Sequence, residues 1–326
     1  MSAARRRAGL VGGGALVALL LIEAGARLAT GHPLFALRGP ESDDYVVVDP
    51  NVGRYPKAGL AIDMPEGFSI RTAEHGTRPN GNPPPRAERP LTLVVGDSFA
   101  FGDDVDDDAS WPAALERQSA GRVVNAGVPG FGLDQAILRA EQLAPLYTPE
   151  VIVVGVIPHD VLRCGLSFWS GHPKPYFALD GDGLRFHPAA QAPRPWWAPL
   201  KWLLSHSVAL DLLFPTLFHW EGPEAVPAHD DAAAVACRLM PRLAALASRG
   251  ARVALVVHPQ VPESTDDQRR LASDLLACAR AAGVQAVDLF PAFDQLTAAE
   301  RAAMFDGHLT PAGNELVAQG VAAALR

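Results

Sequence analysis

Two segments of the sequence carry the residue types of a nucleophile, a general base and an orienting carboxylate. Ser98 closely follows the apolar run at 91–95 in LTLVVGDSFAFGDD, and Asp306 and His308 stand two residues apart in FDGHLTPAGNELV, just before a predicted helix start. A serine hydroxyl becomes a good nucleophile when an imidazole takes its proton, and a carboxylate fixes the tautomer of that imidazole. Because alternate residues of an extended segment share a face, we expect Asp306 to orient His308 as the base for Ser98.

A serine nucleophile also needs hydrogen-bond donors for the negatively charged oxygen that forms during its reaction. Candidate donors stand at three predicted strand ends. They are the backbone N–H of Ser98, the backbone N–H of Gly130 in the glycine-bearing loop NAGVPGFG, and the side chain of His159 in Pro-His-Asp. The sequence therefore predicts an oxyanion hole made by these three residues.

Three further polar residues adjoin the predicted crevice and are candidate substrate contacts. Asp97 precedes the serine, Asp160 follows the histidine of the third strand end, and His258 ends the fourth apolar run. For His258 the alternative is a structural histidine that is bonded within the turn before the next proline.

Other chemistries fit the sequence less well. Gly, Asp and Ser are common turn residues, so the tripeptide alone is also typical of a turn. The nucleophile elbow Gly-x-Ser-x-Gly fails because Ala100 stands two residues after Ser98. A carboxylate pair for a glycosidase would have to come from the acidic run Asp103, Asp104, Asp106, Asp107 and Asp108, and adjacent carboxylates on a polar loop are more typical of a solvated turn. No ligand spacing links the scattered histidines His172, His187, His206, His219 and His229, so neither a metal nor another cofactor is predicted.

Composition limits the class of protein. The chain has 326 residues, of which 48% are hydrophobic and 20% charged, which is enough for one sizeable core. Its formal charge of −8 and its lack of a Lys/Arg cluster after residue 7 argue against a nucleic-acid partner. Three widely spaced cysteines show no metal-site spacing, although one disulfide can form.

The N-terminus predicts a membrane location. Three arginines at 5–7 precede the apolar run at 8–22, which Glu23 ends, and a positive flank before such a run places the amino terminus in the cytoplasm. We expect an uncleaved signal anchor over residues 1–28, with Glu23 and Arg27 reaching toward the lipid headgroups. A cleaved signal peptide and a buried first helix are the alternatives. The expected location of the rest of the chain is the periplasmic side of a bacterial inner membrane.

Regular structure is predicted to begin after an irregular Pro-rich strap or linker at 29–88. From there five strand-like runs alternate with helical patterns, at 91–95, 122–125, 151–157, 253–258 and 284–289. This alternation predicts a three-layer α/β/α sandwich with a central parallel sheet, which forms one domain over 89–326. An insertion at 161–229 carries Trp196, Trp197 and Trp202, which would stack on a sugar, touch a membrane or cover the core.

The motifs together resemble the SGNH, or GDSL-type, hydrolases over residues 89–326. Block one matches as Gly96-Asp97-Ser98, block two as Asn125 through Gly130, and the last block as Asp306-Gly307-His308. Block three departs from the family, because His159-Asp160 stands where the usual pair is Asn-Asp. The resemblance implies a flavodoxin-like fold and a serine esterase.

The expected activity is that of an esterase or acyltransferase that acts through an acyl-enzyme on Ser98. The anchored layout, with a segment that resembles the pre-domain of exopolysaccharide-associated members, implies O-acyl groups, above all acetyl groups, of an envelope glycan as the substrate. Two alternatives stay open. One is an inactive domain that binds or assembles glycans, and the other is a lipid-directed esterase.

Overall fold

The structure of the protein is a computed structural model that describes residues 3–31, 34, 45–64, 67–81, 90–119, 121–190, 204, 207–213, 225–228 and 231–326. The chain divides into two compact units. The smaller unit comprises residues 1–44 and 192–222, and the larger comprises residues 45–191 and 223–326. All candidate catalytic residues belong to the larger unit.

Strands and helices are numbered along the chain. The strands are β1 Val46–Asp49, β2 Gly53–Pro56, β3 Ala61–Asp63, β4 Ser69–Arg71, β5 Leu91–Gly96, β6 Arg122–Asn125, β7 Val151–Val156, β8 Leu166–Trp169, β9 His172–Pro173, β10 Tyr176–Asp180, β11 Gly183–His187, β12 Ala225–Pro227, β13 Arg252–Val257, β14 Gln285–Asp288, β15 Phe305–Asp306 and β16 His308–Leu309. The helices are α1 Ala3–Thr30, α2 Ser98–Phe101, α3 Trp111–Gln118, α4 Leu133–Tyr147, α5 Pro158–Arg163, α6 Val208–Leu213, α7 Ala232–Arg238, α8 Met240–Ala245, α9 Asp266–Ala281, α10 Phe290–Asp294, α11 Ala298–Ala302 and α12 Pro311–Leu325.

The centre of the larger unit is a five-stranded parallel sheet. Its strand order is β14-β13-β7-β5-β6, and every neighbouring pair is parallel. The chain order therefore runs outward in both directions from β5, which is the flavodoxin-like arrangement that the sequence predicts. In such sheets a crevice opens at the carboxyl ends of the strands where the order reverses, and here that point lies between β5 and β7.

Helices cover both faces of this sheet, because the strands are apolar on both sides. On β5, the side chains of Leu93 and Val95 pack into one core with α4, α7 and α9, whereas Val94 packs into a second core with α3 and α12. All three side chains are fully buried. The predicted three-layer α/β/α architecture is confirmed in the larger unit.

The predicted irregular strap contains regular structure within its described part. β1 pairs with β2 and β3 pairs with β4, each as an antiparallel hairpin, and Arg78 bridges to Asn125 beside the central sheet. These hairpins belong to the same compact unit as the sheet. The prediction of a linker is therefore wrong for residues 45–81, while the Pro-rich residues 82–89 lie outside the described ones.

The predicted insertion begins as a small β-structure. β8 pairs with β12 and β9, and β10 pairs with β11, all antiparallel. The three tryptophans that the sequence singles out, Trp196, Trp197 and Trp202, lie outside the described residues.

The described part of the smaller unit is mainly the long helix α1 and the short helix α6. The carboxylate of Glu23 accepts hydrogen bonds from Ser207 Oγ at 2.7 Å and from the backbone N–H groups of Val208 at 3.0 Å and Ala209 at 3.1 Å, and it pairs with Arg27 at 2.7 Å. Glu23 therefore accepts hydrogen bonds from backbone N–H groups at the N-terminus of α6, which have no partner within the helix. The sequence predicted instead that Glu23 would reach toward lipid headgroups. Among the described residues, no helix combines the length and the apolar character that crossing a membrane requires, so the predicted transmembrane segment is not confirmed.

A disulfide joins two helices on one face of the sheet. It links Cys237 of α7 to Cys278 of α9, 41 residues later in the chain. The third cysteine, Cys164, is free and buried. The disulfide ties the chain after the insertion to a helix of the core.

We expect loss of this disulfide to lower the free energy of unfolding by about 2–4 kcal/mol, because the cross-link restricts the unfolded chain. The measurement is urea unfolding of the wild type with and without a reducing agent. The double variant Cys237→Ala/Cys278→Ala is the control, and its free energy of unfolding should be the same with and without the reducing agent. Equal stability of the oxidised and reduced wild type would contradict the expectation.

Candidate active site

Ser98 lies at the carboxyl end of β5, where the strand order of the central sheet reverses. β5 ends at Gly96, and the helix α2 begins at Ser98, with Asp97 accepting a hydrogen bond from the backbone N–H of Phe99 at 3.0 Å as its N-cap. The close approach of β7 requires glycine at position 96, because a Cβ there would stand 2.2 Å from the backbone oxygen of Gly155. The local sequence thus directs the serine side chain to the crevice, and Ser98 is only 7% exposed.

The structure brings His308 to Ser98. His308 Nε2 lies 3.0 Å from Ser98 Oγ, and His308 Nδ1 lies 2.6 Å from Asp104 Oδ2. A carboxylate oxygen accepts a hydrogen bond from Nδ1–H, so Nε2 is the acceptor that faces the serine hydroxyl. Phe99 packs against the imidazole with a ring-centroid distance of 4.9 Å. Nucleophile, base and carboxylate therefore form one continuous hydrogen-bonded chain.

The carboxylate beside His308 is Asp104, and the prediction of Asp306 for this role is not met. Asp306 and His308 face each other across a tight hairpin, in which Gly307 adopts a left-handed φ of +71°. The sequence argument assumed a straight extended segment, whereas the chain reverses at Gly307. The side chain of Asp306 is exposed, and it makes no hydrogen bond or ion pair within the described part of the chain.

Asp104 belongs to the acidic run that the sequence favoured as a solvated turn. It occupies a left-handed conformation with φ +68°, which is uncommon for a residue other than glycine. Such backbone strain persists where the surrounding structure holds it, and it is concentrated at active sites. The signal for this role was the position of the run, six residues after the serine, rather than its composition.

Two more members of the acidic run are not simply solvated. Asp107 is buried and pairs with the guanidinium of Arg78, with a distance of 2.9 Å between Oδ1 and Nε. Asp103 is partly buried, and burial raises the pKa of its carboxyl to about 7, although the charge of His308 acts in the opposite direction. The surface prediction is therefore wrong for Asp107, whereas Asp104 is exposed as predicted and nevertheless contacts His308.

Two candidate backbone donors lack an acceptor among the described residues. Neither the N–H of Ser98 nor the N–H of Gly130 donates a hydrogen bond to any described residue. Gly130 has a φ of +80°, so the loop needs glycine there. Asn125 fixes the start of this loop, since its Nδ2 donates to Phe101 O and its Oδ1 accepts from Gly127 N, both at 3.1 Å.

His159 stands at the start of α5 with its ring held by two neighbours. Its Nδ1 lies 3.5 Å from Arg163 Nη2, and its ring meets Trp169 edge-on at 5.4 Å between centroids. A guanidinium can only donate, so Nδ1 is an acceptor and the ring proton resides on Nε2. Burial, together with the charge of Arg163, lowers the pKa of His159, which keeps the imidazole neutral at pH 7. His159 therefore offers a neutral N–H donor, as an asparagine amide would.

Asp97 and Asp160, which the sequence offers as substrate contacts, are buried and bonded within the protein. Asp160 accepts from Arg163 Nη1 at 2.7 Å and from the backbone N–H of Ile157 at 3.0 Å, while Asp97 Oδ2 lies 3.8 Å from the same guanidinium nitrogen. Burial raises the pKa of Asp97 to about 6, and burial together with the nearby charge of Asp97 raises the pKa of Asp160, while Arg163 acts in the opposite direction on both. Arg163 also donates to Phe131 O at 2.9 Å, next to Gly130.

His258 is a structural histidine, which agrees with the alternative and not with a substrate contact. It is 1% exposed, and its Nδ1 lies 2.8 Å from the backbone oxygen of Pro259. Burial lowers the pKa of His258 to about 4, so the ring is neutral at pH 7. Its ring packs against the ring of Phe99, at 5.4 Å between centroids.

Trp169 is a site residue that the sequence argument missed. It stands on β8, and a Cβ at Gly130 would lie 3.4 Å from its indole Nε1. The guanidinium of Arg163 stacks over the indole at 5.0 Å. Trp169 therefore packs against the loop that carries Gly130, the second candidate backbone donor. Sequence reasoning weighted the tryptophans of the later, Pro-rich part of the insertion instead.

Within the described ranges, no group of three histidine, cysteine or carboxylate side chains is arranged to hold a metal ion. The arrangement that is present suits nucleophilic acyl transfer, since it supplies an activated hydroxyl, a base with its carboxylate, and donors for an oxyanion.

The chain is similar to several solved hydrolase structures. A lipase/acylhydrolase from Enterococcus faecalis is 12% identical, with 72% of this chain and 95% of that chain covered and a TM-score of 0.43. A catalytic mutant of Axe2, an acetylxylan esterase from Geobacillus stearothermophilus, is 16% identical, with 72% and 94% covered and a TM-score of 0.41. LAE5, an alpha/beta hydrolase enzyme from the metagenome of Lake Arreo, is 13% identical, with 72% and 94% covered and a TM-score of 0.43.

No family model and no curated protein matches the sequence. All three solved structures are less than 20% identical to this chain.

Substitution of the two candidate carboxylates should affect kcat very differently. Asp104→Asn should lower kcat for p-nitrophenyl acetate by about 1,000- to 10,000-fold, because the amide no longer fixes the tautomer and charge of His308. Asp306→Asn should change kcat less than about threefold, as is usual for an exposed residue without a partner. The matched pair is read by steady-state kinetics, and the reverse ranking would restore Asp306 to the triad.

His159 should act as a neutral donor over the working pH range. His159→Asn is expected to keep most of the activity and the shape of the pH profile between pH 7 and 9, because the lowered pKa of His159 favours the neutral ring there. His159→Ala should lose about 100- to 1,000-fold in kcat at every pH, the usual effect of removing one oxyanion donor. Wild-type turnover in His159→Ala would remove the residue from the site.

Proposed function

We propose that the protein is a serine esterase of the SGNH type that works through an acyl-enzyme on Ser98. The observation that carries the proposal is the hydrogen-bonded chain from Ser98 Oγ through His308 to Asp104, with spacings of 3.0 Å and 2.6 Å, beside backbone donors that lack acceptors. The order of the motifs along the chain supports the same family.

The reaction follows from these positions. Ser98 Oγ attacks the ester carbonyl carbon while its proton passes to His308 Nε2, and Asp104 stabilises the imidazolium that forms. The carbonyl oxygen becomes an oxyanion that accepts from the N–H groups of Ser98 and Gly130 and from His159 Nε2. The tetrahedral intermediate collapses, the C–O bond to the alcohol breaks, and His308 returns the proton to the departing oxygen. Water then attacks the acyl-enzyme with His308 as the base, which releases the acid and restores the serine.

An intact triad argues for an enzyme rather than an inactive binding domain. The motive for an inactive domain was histidine in place of asparagine in block three. His159 supplies a neutral N–H of the same kind, because Arg163 occupies its other ring nitrogen. The departure from the family pattern therefore keeps a donor at this position.

We propose a short O-acyl group, such as acetyl, on a glycan as the substrate. Trp169 stands against Gly130 and is held by both His159 and Arg163, so the donor loop is bordered by a fixed aromatic wall. A wall of this kind leaves little room for a long acyl chain beside the oxyanion, and an aromatic face suits a sugar ring. A sugar hydroxyl in place of water would make the same acyl-enzyme an O-acyltransferase.

We also propose that the domain works outside the cytoplasm, on the periplasmic side of a bacterial inner membrane. The disulfide between Cys237 and Cys278 supports this location, because disulfides persist in oxidising compartments. The arginines at 5–7 before an apolar run support the same orientation of the chain.

The decisive experiment combines labelling with a substrate series. A fluorophosphonate probe should label the wild type, while Ser98→Ala should lose the label and about 10,000-fold or more in kcat. Ser248→Ala, on an exposed serine whose hydroxyl donates to Ala245 O, is the matched control and should behave as the wild type.

The substrate class is read from acetate release by an acetylated xylooligosaccharide and from the rates with p-nitrophenyl acetate and octanoate. Faster acetate than octanoate hydrolysis is expected. Preference for octanoate would favour a lipid-directed esterase, and persistent labelling of Ser98→Ala would refute the nucleophile.

A further inference from the structure

One buried cation outside the predicted catalytic domain is not used by the reaction itself. Arg78 follows the hairpin β3–β4, in the segment that the sequence predicted as a linker, and it is 2% exposed. We propose that Arg78 is a positioning residue that holds Asp104 against His308, so that the segment at 45–81 completes the active site. This inference rests on the proposed function.

The guanidinium of Arg78 is saturated by the loop that carries Asp104. Nε donates to Asp107 Oδ1 at 2.9 Å, and Nη1 donates to Phe101 O at 3.1 Å and to Gly102 O. Nη2 donates to Val105 O at 2.6 Å and, outside the loop, to Ser69 O of β4 at 3.1 Å. All five N–H donors of the side chain are therefore used. Four of their acceptors lie within three residues of Asp104, on both sides of it.

Asp104 has little else to hold it. Its side chain is 47% exposed, and its contact with His308 is its one hydrogen bond among the described residues. The backbone around it is left-handed at Gly102, with φ +89°, and at Asp104, with φ +68°. A strained and exposed loop residue keeps its place only if the backbone on either side is fixed, and Arg78 fixes it through carbonyl oxygens.

Arg78 is itself anchored to the donor side of the site. Its backbone N–H donates to Asn125 O at 2.8 Å, at the start of the loop that carries Gly130. Its guanidinium stacks on the ring of Phe101 at 4.9 Å from the centroid. The same Asn125 donates to Phe101 O, so one set of bonds fixes the carboxylate loop relative to the oxyanion loop.

Lysine could not replace this arginine. An ammonium group has three donors and no planar fork, so it can pair with Asp107 but cannot serve carbonyl oxygens on both sides of Asp104 at once. Arg78→Lys thus keeps the buried charge while releasing most of the loop. That difference separates positioning from simple charge balance.

The first test compares Arg78→Lys with Arg71→Lys. Arg71 also pairs with Asp107, at 2.6 Å, but its side chain is 61% exposed and, among the described residues, donates to no backbone oxygen beside Asp104. Arg78→Lys should lower kcat for p-nitrophenyl acetate by about 10- to 100-fold with KM nearly unchanged, since a small displacement of a catalytic group has this effect. Arg71→Lys should leave both kcat and KM unchanged.

The second test asks whether Arg78 acts through Asp104. In the background of Asp104→Asn, Arg78→Lys should reduce kcat by less than about threefold more, since residues that work as one unit are not additive. Full multiplication of the two losses would overturn the inference and leave Arg78 as a residue of the fold alone. If Arg78→Lys does not fold, as judged by circular dichroism, Asp107→Asn goes through the same cycle, because it loosens Arg78 while leaving it present.

The two levels of the proposal can fail separately. Activity that survives in Ser98→Ala would remove the esterase mechanism. Loss of activity in Ser98→Ala together with multiplicative effects of Arg78→Lys and Asp104→Asn would remove only the positioning role.

Discussion

The hydrogen bond between Ser98 Oγ and His308 Nε2 joins residues 210 positions apart, and the rest of the active unit is arranged so that it can form. Ser98 is fixed from one side by the parallel sheet, which accepts glycine alone at position 96. His308 is fixed from the other side by the reversal at Gly307 and by the ring of Phe99. Neither segment could place the pair without the other, because each arrives on a different element of the sandwich. The bond between Ser98 and His308 can therefore form only when the sheet and the C-terminal hairpin are both in their folded positions.

Two buried guanidinium groups stabilise the two loops that surround this bond. Arg78 binds the loop that carries Asp104, and Arg163 links Asp97, Asp160 and the backbone next to Gly130. Each cation is paired with carboxylates, as burial of a charge requires, and each spends further donors on backbone oxygens of a loop. A planar cation with five donors can fix an irregular backbone from a distance in a way that apolar packing cannot. The carboxylate loop and the donor loop are thus held by similar physical means.

How much of this could be predicted from the sequence depends on the range of the interaction. The five strands follow from apolar runs that are buried on both faces, and their flavodoxin-like order is what the family resemblance implies. Ser98 and His308 follow from their places at a strand end and before a helix. Asp104 could not be separated from its acidic neighbours, because its role depends on two left-handed residues and on Arg78, which lies 26 positions before it in the chain. Asp306 was chosen because it is near His308 in the sequence, and the turn at Gly307 makes that nearness irrelevant. The hairpins at 45–81 were hidden by a composition rich in turn formers.

Because the carboxylate is Asp104, two of the three triad residues lie on one short segment of the chain. A triad aspartate beside the histidine in sequence would depend on one short hairpin, whereas Asp104 lies on the loop that leaves the nucleophile helix. The nucleophile and the carboxylate then move together with the end of β5, and the histidine is the only member that comes from the C-terminal part of the chain. Their relative positions depend on Gly102, which ends α2 in a left-handed conformation, and on the bonds from Gly102 N and Asp103 N to Ser98 O. The loop from 98 to 107 therefore acts as one structural element, and it needs an outside residue such as Arg78 to resist its own strain.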